Sequence, residues 1–342
     1  MATISVLPGD GVGPQVIEQA LLTLDALDTG IGFDVLDHVN ANTFLAEGTA
    51  LSEVDFERVG ASAGCLLGAI GDPRTAGTAY ARKVLLRLRF DLDLYVNYRP
   101  VRLLHDRLSP LRDAARRPVD CAIVRENSEG LYAGVGGALR GHTEHEVAVD
   151  TEMTTYHGVS RVIGYAMSVA TRAVCMVDKS NAVPNGGKVW QRCWRDAVAD
   201  RPDLATSHLY VDAAAMRLVA DPTEFDVIVT NNSYGDILSD LAAQLAGGIG
   251  TAASANINPH NGFVLCEPVH GTAPDIAGTG TANPIGAILS AALLLDGLGY
   301  REQAEAVRAA VAGTVARHRC TADLGGGLDT ADAGAAIRAA LS

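Results

Sequence analysis

Two aspartates, Asp236 and Asp240, stand four residues apart in Tyr234-Gly235-Asp236-Ile237-Leu238-Ser239-Asp240-Leu241. Apolar Ile237, Leu238 and Leu241 fall at helical spacing, so a helix is expected here. Residues at i and i+4 share one helix face. Like charges placed there repel unless a cation lies between them, and ligands made only of oxygen favour a hard ion, Mg2+ or Mn2+. A lone pair of this kind is more often a solvated acidic face, with Asp236 as the N-cap. Asp212, in Tyr210-Val211-Asp212-Ala213 after a strand, adds a third carboxylate and moves the balance toward a metal site.

Three arginines supply the opposite charge. Arg89, Arg99 and Arg125 each sit at or near the end of an apolar segment. A guanidinium binds a carboxylate bidentately and keeps its charge when partly buried. Singly, each is accounted for by a structural acidic partner; together they suit a diacid. The chain has only three lysines, Lys83, Lys179 and Lys188. In a protein that uses arginine for its general surface charge, a lysine at a site is a candidate titrating group. Lys179 follows an apolar strand over 173–177 and precedes Asn181, so it is either a proton acceptor or the cap of a strand. Tyr132, seven residues after Arg125, is a second acid–base candidate or a core side chain.

The run Glu267-Pro268-Val269-His270-Gly271-Thr272-Ala273-Pro274-Asp275-Ile276-Ala277-Gly278 is followed by Ala282-Asn283-Pro284. Small residues permit close backbone approach to a ligand, and an acidic residue suits ribose hydroxyls. It is not a G-x-G-x-x-G fingerprint. The residues alone define a ligand loop or an ordinary surface loop.

The elements that must position these groups alternate. Apolar runs over 3–7, 63–69, 121–124, 173–177, 208–211 and 227–230 read as strands, and a helix is expected over about 14–27. This βα alternation predicts an α/β protein with a mostly parallel sheet. The length of 342 residues suggests about two domains, with no linker of distinctive composition between them. Hydrophobic residues at 48% can fill a large core, and charged residues at 20% exclude a mainly disordered chain. A formal net charge of −13 excludes a non-specific nucleic-acid binder. Residues 1–10 read as a strand entering a Gly-rich turn, not as a signal peptide. The apolar run 285–295 is too short for a membrane span, which takes about 20 residues, and is expected to be a buried helix. Six scattered cysteines without C-x-x-C spacing point to reduced thiols in a cytoplasmic enzyme.

Taken in order, several segments resemble the β-decarboxylating dehydrogenase family of isopropylmalate, isocitrate, homoisocitrate, and tartrate or D-malate dehydrogenases. They are Leu7-Pro8-Gly9-Asp10-Gly11-Val12-Gly13-Pro14, Leu88-Arg89, Asn97-Tyr98-Arg99-Pro100, Val124-Arg125-Glu126-Asn127, Asp178-Lys179-Ser180-Asn181, Tyr210-Val211-Asp212, Gly235-Asp236-Ile237-Leu238-Ser239-Asp240 and His270-Gly271-Thr272-Ala273-Pro274-Asp275. The resemblance spans nearly the whole chain. It implies that Arg89, Arg99 and Arg125 bind the malate carboxylates and that Asp212, Asp236 and Asp240 hold Mg2+ or Mn2+. Lys179 would take the hydroxyl proton as hydride leaves for NAD+, and Tyr132 would help protonate the enol left after CO2 departs. His270, Gly271, Thr272, Ala273, Asp275, Ile276, Asn283 and Asn181 would line the cofactor. In the family's NADP+ users a Lys-Tyr pair takes the place of Asp275-Ile276. Lys179 and Asp212 would reach the site from a second subunit, making a homodimer the working unit. The implied fold has a discontinuous cofactor-binding domain, 1–94 plus 247–342, and a substrate, metal and dimerisation domain, 95–246.

The family reads the malate substituent with the helix before Arg89. Arg82, Leu85 and Leu86 lie within roughly a quarter turn of Arg89. Leu85 and Leu86 resemble the apolar pair of isopropylmalate enzymes. Arg82-Lys83 departs from that pattern and suits a third anionic group, as in isocitrate or homoisocitrate, if it is not a solvated helix end. Tyr95-Val96-Asn97 and Gly141-His142-Thr143-Glu144-His145-Glu146-Val147 look more like the tartrate or D-malate branch. The expected activity is of the isopropylmalate type, on a di- or tricarboxylate, with no nucleic-acid or membrane partner. A non-catalytic regulatory relative would have lost an aspartate, the lysine or an arginine of the set; all are present.

Overall fold

A computed structural model describes residues 2–341. The first part of the chain forms β1 (Thr3–Gly9), α1 (Gly13–Asp25), β2 (Gly32–Val35), α2 (Ala41–Glu47), α3 (Glu53–Ala61), β3 (Cys65–Ala69) and α4 (Tyr80–Asp91). The middle forms β4 (Val96–Arg102), β5 (Asp120–Glu126), β6 (Gly136–Leu139), β7 (Val147–Asp150), α5 (Tyr156–Val169), β8 (Ala173–Asp178), α6 (Pro184–Asp200), β9 (Ala205–Tyr210), α7 (Val211–Ala220), β10 (Val227–Thr230) and α8 (Asn232–Leu245). The last part forms β11 (Ala253–Asn258), β12 (Phe263–Pro268), α9 (Ile285–Gly297), α10 (Arg301–Ala316) and α11 (Thr330–Arg338).

Ten strands make one sheet in the order β2-β1-β3-β12-β11-β4-β5-β10-β8-β9. It is parallel except at β12–β11, β11–β4 and β4–β5. Helices cover both faces. On one end of the sheet α1, α9 and α10 pack a core around Ile4, Ile17, Ile288 and Leu295, and the opposite face holds Leu7, Val59, Leu67 and Val84. At the other end α5 and α6 enclose Val162, Met176 and Trp190, and α7 with α8 enclose Ile123, Leu218 and Leu238. The run 285–295 lies within the buried helix α9, apolar on nearly every side, as expected. No helix among the described residues is long and apolar enough to cross a membrane.

The turn from β1 into α1 depends on glycine. Gly9 has φ +74°, and a Cβ there would lie 2.1 Å from the Ala69 carbonyl oxygen. Gly11 has φ +58°, and its Cβ would lie 2.0 Å from the Thr272 oxygen. Only glycine combines that backbone with that approach.

Several local expectations shift. The first helix is Gly13–Asp25, two residues short at its end. The strand expected over 208–211 is β9, Ala205–Tyr210, and Val211 already opens α7. Asp236 is not an N-cap: α8 begins at Asn232, and Asn231 caps it by accepting from the Tyr234 amide. The carboxylate pair therefore sits one turn inside the helix. Residues 141–146 fill most of the loop of an exposed two-stranded hairpin, β6–β7, and Val147 opens β7.

Candidate active site

The site is assembled from the end of the first turn outward. Asp10 is buried and its carboxylate accepts from the Ala41 amide (2.7 Å), the Gly71 amide (2.8 Å) and the Tyr80 hydroxyl (2.8 Å). These bonds tie the Gly-rich turn to α2, to the loop after β3 and to the first residue of α4. Charge-assisted bonds to a buried carboxylate are the strong kind. They set the start of the helix that carries Arg82, Leu85, Leu86 and Arg89.

Leu85 and Arg89 line a cavity of about 160 Å³ with Arg99, Glu267, His270 and Gly271. Leu86, half-buried, does not line it. Arg89 pairs with Glu267 at 2.9 Å. Burial pushes the Glu267 carboxyl up, but Arg89 and the Asn256 amide outweigh it and hold it below its usual value. Glu267 is the last residue but one of β12 and is no part of a loop.

Arg99, on β4, lies 3.4 Å from Asp236 and 3.5 Å from Asp240, and donates to Ser239 Oγ at 2.6 Å. Arg125, on β5, donates to Asp236 Oδ1 at 2.6 Å and to Asn232 Oδ1 through two nitrogens. Gly235 makes this packing possible: a Cβ there would lie 2.6 Å from Arg125 Cβ. The Tyr132 hydroxyl donates to Asp236 Oδ2 at 3.3 Å, and its ring centre is 5.6 Å from the Arg125 guanidinium. Burial pushes Arg125 down to about 9, with Arg99 and Arg89 adding to the effect. Burial likewise lowers Arg99, and Arg89 opposes its charge too. Neighbouring guanidinium groups thus disfavour the charge of Arg99 and Arg125, the setting an incoming dianion relieves. Burial raises the Asp240 carboxyl, Arg99 lowers it and Asp236 raises it again.

Lys179 and Asp212 form a separate unit. Lys179 Nζ is 2.5 Å from Asp212 Oδ1 and 5.7 Å from the centre of the Tyr210 ring. The hydrogen bond from Lys179 holds Asp212 below the usual carboxylate range. Asp178, just before Lys179, is buried and fixed by His208 (2.8 Å) and Gln191 (2.8 Å). Within one chain the structure does not bring Asp212 together with Asp236 and Asp240, and no cluster of three or more potential metal-ligating side chains occurs among the described residues. Asn181 is exposed beside this unit.

In the loop after β12, the Thr272 carbonyl accepts from the Val12 amide at 2.9 Å and docks the loop on the first turn. Ala273 takes a left-handed φ of +39°. His270 bonds Gly271 O through Nδ1, while its Nε2 is sealed from solvent without a partner among the described residues. Burial pushes the imidazole pKa down, so it is neutral near pH 7. The space a Gly271 Cβ would take is open. Asp275 is exposed without an ion pair among the described residues, and Ile276 packs on the core. Asn283 is engaged at both ends, donating to Asp323 and accepting from the Ile285 amide at the start of α9. Arg82 is exposed and lies against Gly134, where a Cβ would meet its guanidinium at 2.0 Å.

The donor chemistry fits two kinds of absent group. Asp236 and Asp240 are half-exposed, oxygen-only ligands on one helix face, which suits Mg2+ or Mn2+ but leaves a coordination sphere to be completed from elsewhere. The orphaned His270 nitrogen, the open space at Gly271 and the unpaired Asp275 suit a dinucleotide. Sequence reasoning assigned no role to Asp10, Asn97, Asn232, Asn256 or Glu267. For Asn97, Asn256 and Glu267 the available signal was an amide or carboxylate at a strand position; Asp10, in a turn, and Asn232, at a helix start, carried none.

Comparison with known proteins gives the class first. Residues 3–337 match the family model described as isocitrate/isopropylmalate dehydrogenase, and the chain belongs to that family and is a dehydrogenase. Among relatives, a Clavibacter sepedonicus protein named 3-isopropylmalate dehydrogenase is 45% identical over 351 residues, covering 99% of this chain and 98% of that one. One of the same name from Leifsonia xyli subsp. xyli is 48% identical over 317 residues, covering 90% and 88%. Among solved structures, isocitrate dehydrogenase from Methylococcus capsulatus superposes with a TM-score of 0.91 at 33% identity, covering 100% of this chain and 99% of that one.

Proposed function

We propose that this dehydrogenase oxidises the hydroxyl of a 3-substituted malate, 3-isopropylmalate first, using NAD+, and releases the neighbouring carboxylate as CO2. The observation that carries this reading is the convergence of Arg89, Arg99 and Arg125 beside Asp236 and Asp240, three guanidinium groups next to half-exposed oxygen ligands. Arg89, Arg99 and Arg125 bind the two carboxylates and orient the hydroxyl-bearing carbon. Asp236 and Asp240, with Asp212 of the partner subunit, hold Mg2+ or Mn2+. When bound, NAD+ accepts the hydride and the metal supplies Lewis acidity to the oxygen being oxidised. Lys179 of the partner subunit takes the hydroxyl proton, and Tyr132 returns a proton to carbon after CO2 leaves. Leu85 meets the apolar substituent at the cavity wall. Neutral His270, Gly271, Thr272, Ala273, Asp275, Ile276, Asn283 and Asn181 line the cofactor.

The homodimer is supported by exposed apolar side chains beside these groups: Ile237 next to Asp236 is 63% exposed and Met216, one turn after Asp212, is 67% exposed. The division into domains at 1–94 plus 247–342 and 95–246 is supported by the strand order, which groups β1, β2, β3, β11 and β12 on one side of the β11–β4 junction. The free, buried cysteines support a cytoplasmic location. A second reading, a malate with a third anionic group, rests on Arg82, which has no ion pair among the described residues. Purified protein given 3-isopropylmalate, NAD+ and Mg2+ should produce NADH and CO2 in equal amounts. NADH without CO2, or neither, contradicts the reading.

A further inference from the structure

Asn256, in β11, is wholly buried and uses every hydrogen-bonding position of its amide. Its Oδ1 accepts from Asn97 Nδ2 and from Asn127 Nδ2, each at 2.9 Å. Its Nδ2 donates to Glu267 Oε1 at 2.8 Å and to Leu265 O at 3.3 Å. The contacts continue outward in both directions. Glu267 Oε1 also accepts from Arg89 at 2.9 Å, and Asn97 Oδ1 accepts from Arg99 Nε at 2.8 Å. A single buried chain, Arg99–Asn97–Asn256–Glu267–Arg89, therefore runs from β4 through β11 and β12 to α4.

Chemistry fixes the direction of every bond in it. Guanidinium groups only donate and a carboxylate only accepts. Arg99 turns the Asn97 oxygen toward itself, which points the Asn97 nitrogen at Asn256. Asn256 must then present oxygen to Asn97 and nitrogen to Glu267. Neither amide can flip without setting donor against donor or acceptor against acceptor. A fully satisfied buried network has one arrangement, and losing a member leaves desolvated polar groups unpaired.

We propose that Asn256 is a positioning residue that sets the separation and orientation of Arg89 and Arg99, and through them the grip on a malate-type dicarboxylate. This rests on the reading that those two arginines bind the substrate. They come from elements on opposite sides of the β11–β4 junction, and Asn256 is the buried side chain that touches both arms.

Two variants test it in the full-length protein with Mg2+. Asn256→Ala removes the link. Asn256→Asp keeps its shape but sets a second carboxylate against Glu267, with Arg89 beyond it and Arg99 reached through Asn97. As pH falls and one of the two carboxylates takes a proton, a donor returns to the chain. The measurements are kcat and KM for 3-isopropylmalate and for NAD+ across pH, the calorimetric Kd of 3-isopropylmalate, and the melting curve. Asn256→Ala should raise KM and Kd for 3-isopropylmalate about tenfold or more, with the NAD+ KM held within about twofold. Asn256→Asp should show the same loss near pH 8 and recover toward wild type near pH 6. Unchanged affinity in both variants, a parallel loss for both ligands, or a pH-independent loss in Asn256→Asp overturns the inference. If Asn256→Ala does not fold, the pH profile of Asn256→Asp decides alone. Wild-type protein that neither binds nor turns over 3-isopropylmalate defeats the functional reading itself and takes this inference with it. An active wild type with indifferent variants defeats the inference alone.

Discussion

Lys179 Nζ lies 2.5 Å from Asp212 Oδ1, while Asp236 pairs with Arg125 at 2.6 Å, so one chain carries the candidate base with one candidate metal carboxylate in one unit and the other two carboxylates in another. Each unit is incomplete for the proposed reaction. A second copy of the chain completes both if the Lys179–Asp212 unit of one faces the Asp236–Asp240 pair of the other. Co-expressed Lys179→Met and Asp236→Asn chains should then regain part of the activity that each lacks alone, because one hybrid site holds both wild-type contributions. Hybrid dimers that form, fold and remain inactive contradict the shared site.

The Asp236–Asp240 pair now satisfies Arg99 and Arg125, and both carboxylates remain accessible. Asp236→Asn and Asp240→Asn should each lower kcat about a hundredfold or more and weaken Mn2+ binding measured by calorimetry. Full wild-type turnover in excess chelator removes the metal from the account.

Asp275 is exposed and has no ion pair among the described residues. Placed against the adenosine ribose, its carboxylate accepts from the hydroxyls and repels the extra phosphate of NADP+, enough for about a tenfold preference for NAD+ in kcat/KM. Asp275→Lys with Ile276→Tyr should shift the ratio toward NADP+. Equal wild-type efficiency with the two cofactors shows that Asp275 does not face the ribose.

The Arg89–Glu267 pair makes a prediction about stability against pH. In the wild type, Glu267 titrates below its usual value, so its contribution is present above pH about 4.5 and fades as pH falls through the folded value. Arg89→Met leaves a buried carboxylate whose burial pushes its pKa above the unfolded value. The variant should be less stable by about 3 kcal/mol near pH 7. That deficit should shrink as pH is lowered toward about 5, where the carboxyl takes up a proton. Melting temperatures across this range check the sign, and a constant gap between the two proteins contradicts it.

What the sequence made legible was local. The i, i+4 aspartates, the apolar strands that lead into Arg125 and Lys179, and the buried helix α9 follow from spacing within one element, whereas Arg99 lies in the middle of β4 and not near its end. The α/β class followed from the alternation of such segments. The central antiparallel pairings did not, because β4 meets β11 across more than a hundred and fifty residues and neither strand announces its partner. For the same reason Asn97, Asn256 and Glu267 gave no sign of forming one network. The hairpin β6–β7 was missed because its strands are four residues long and wholly exposed, without the buried face that marks a strand in sequence. The alternative of Asp236 as an N-cap fails because helix ends depend on which side chain captures the first free amide, and here Asn231 does so.

The central claim is that three arginines and an apolar wall select a malate carrying a branched aliphatic group. It is tested most directly by kcat/KM for 3-isopropylmalate, D-malate, tartrate, isocitrate and homoisocitrate, read as NADH formation with Mg2+ present. The account predicts that 3-isopropylmalate exceeds every other substrate by about tenfold or more, since removing the buried branched group forfeits its transfer from water. A preference for isocitrate or homoisocitrate would assign Arg82 to a third carboxylate and contradict the role given to Leu85.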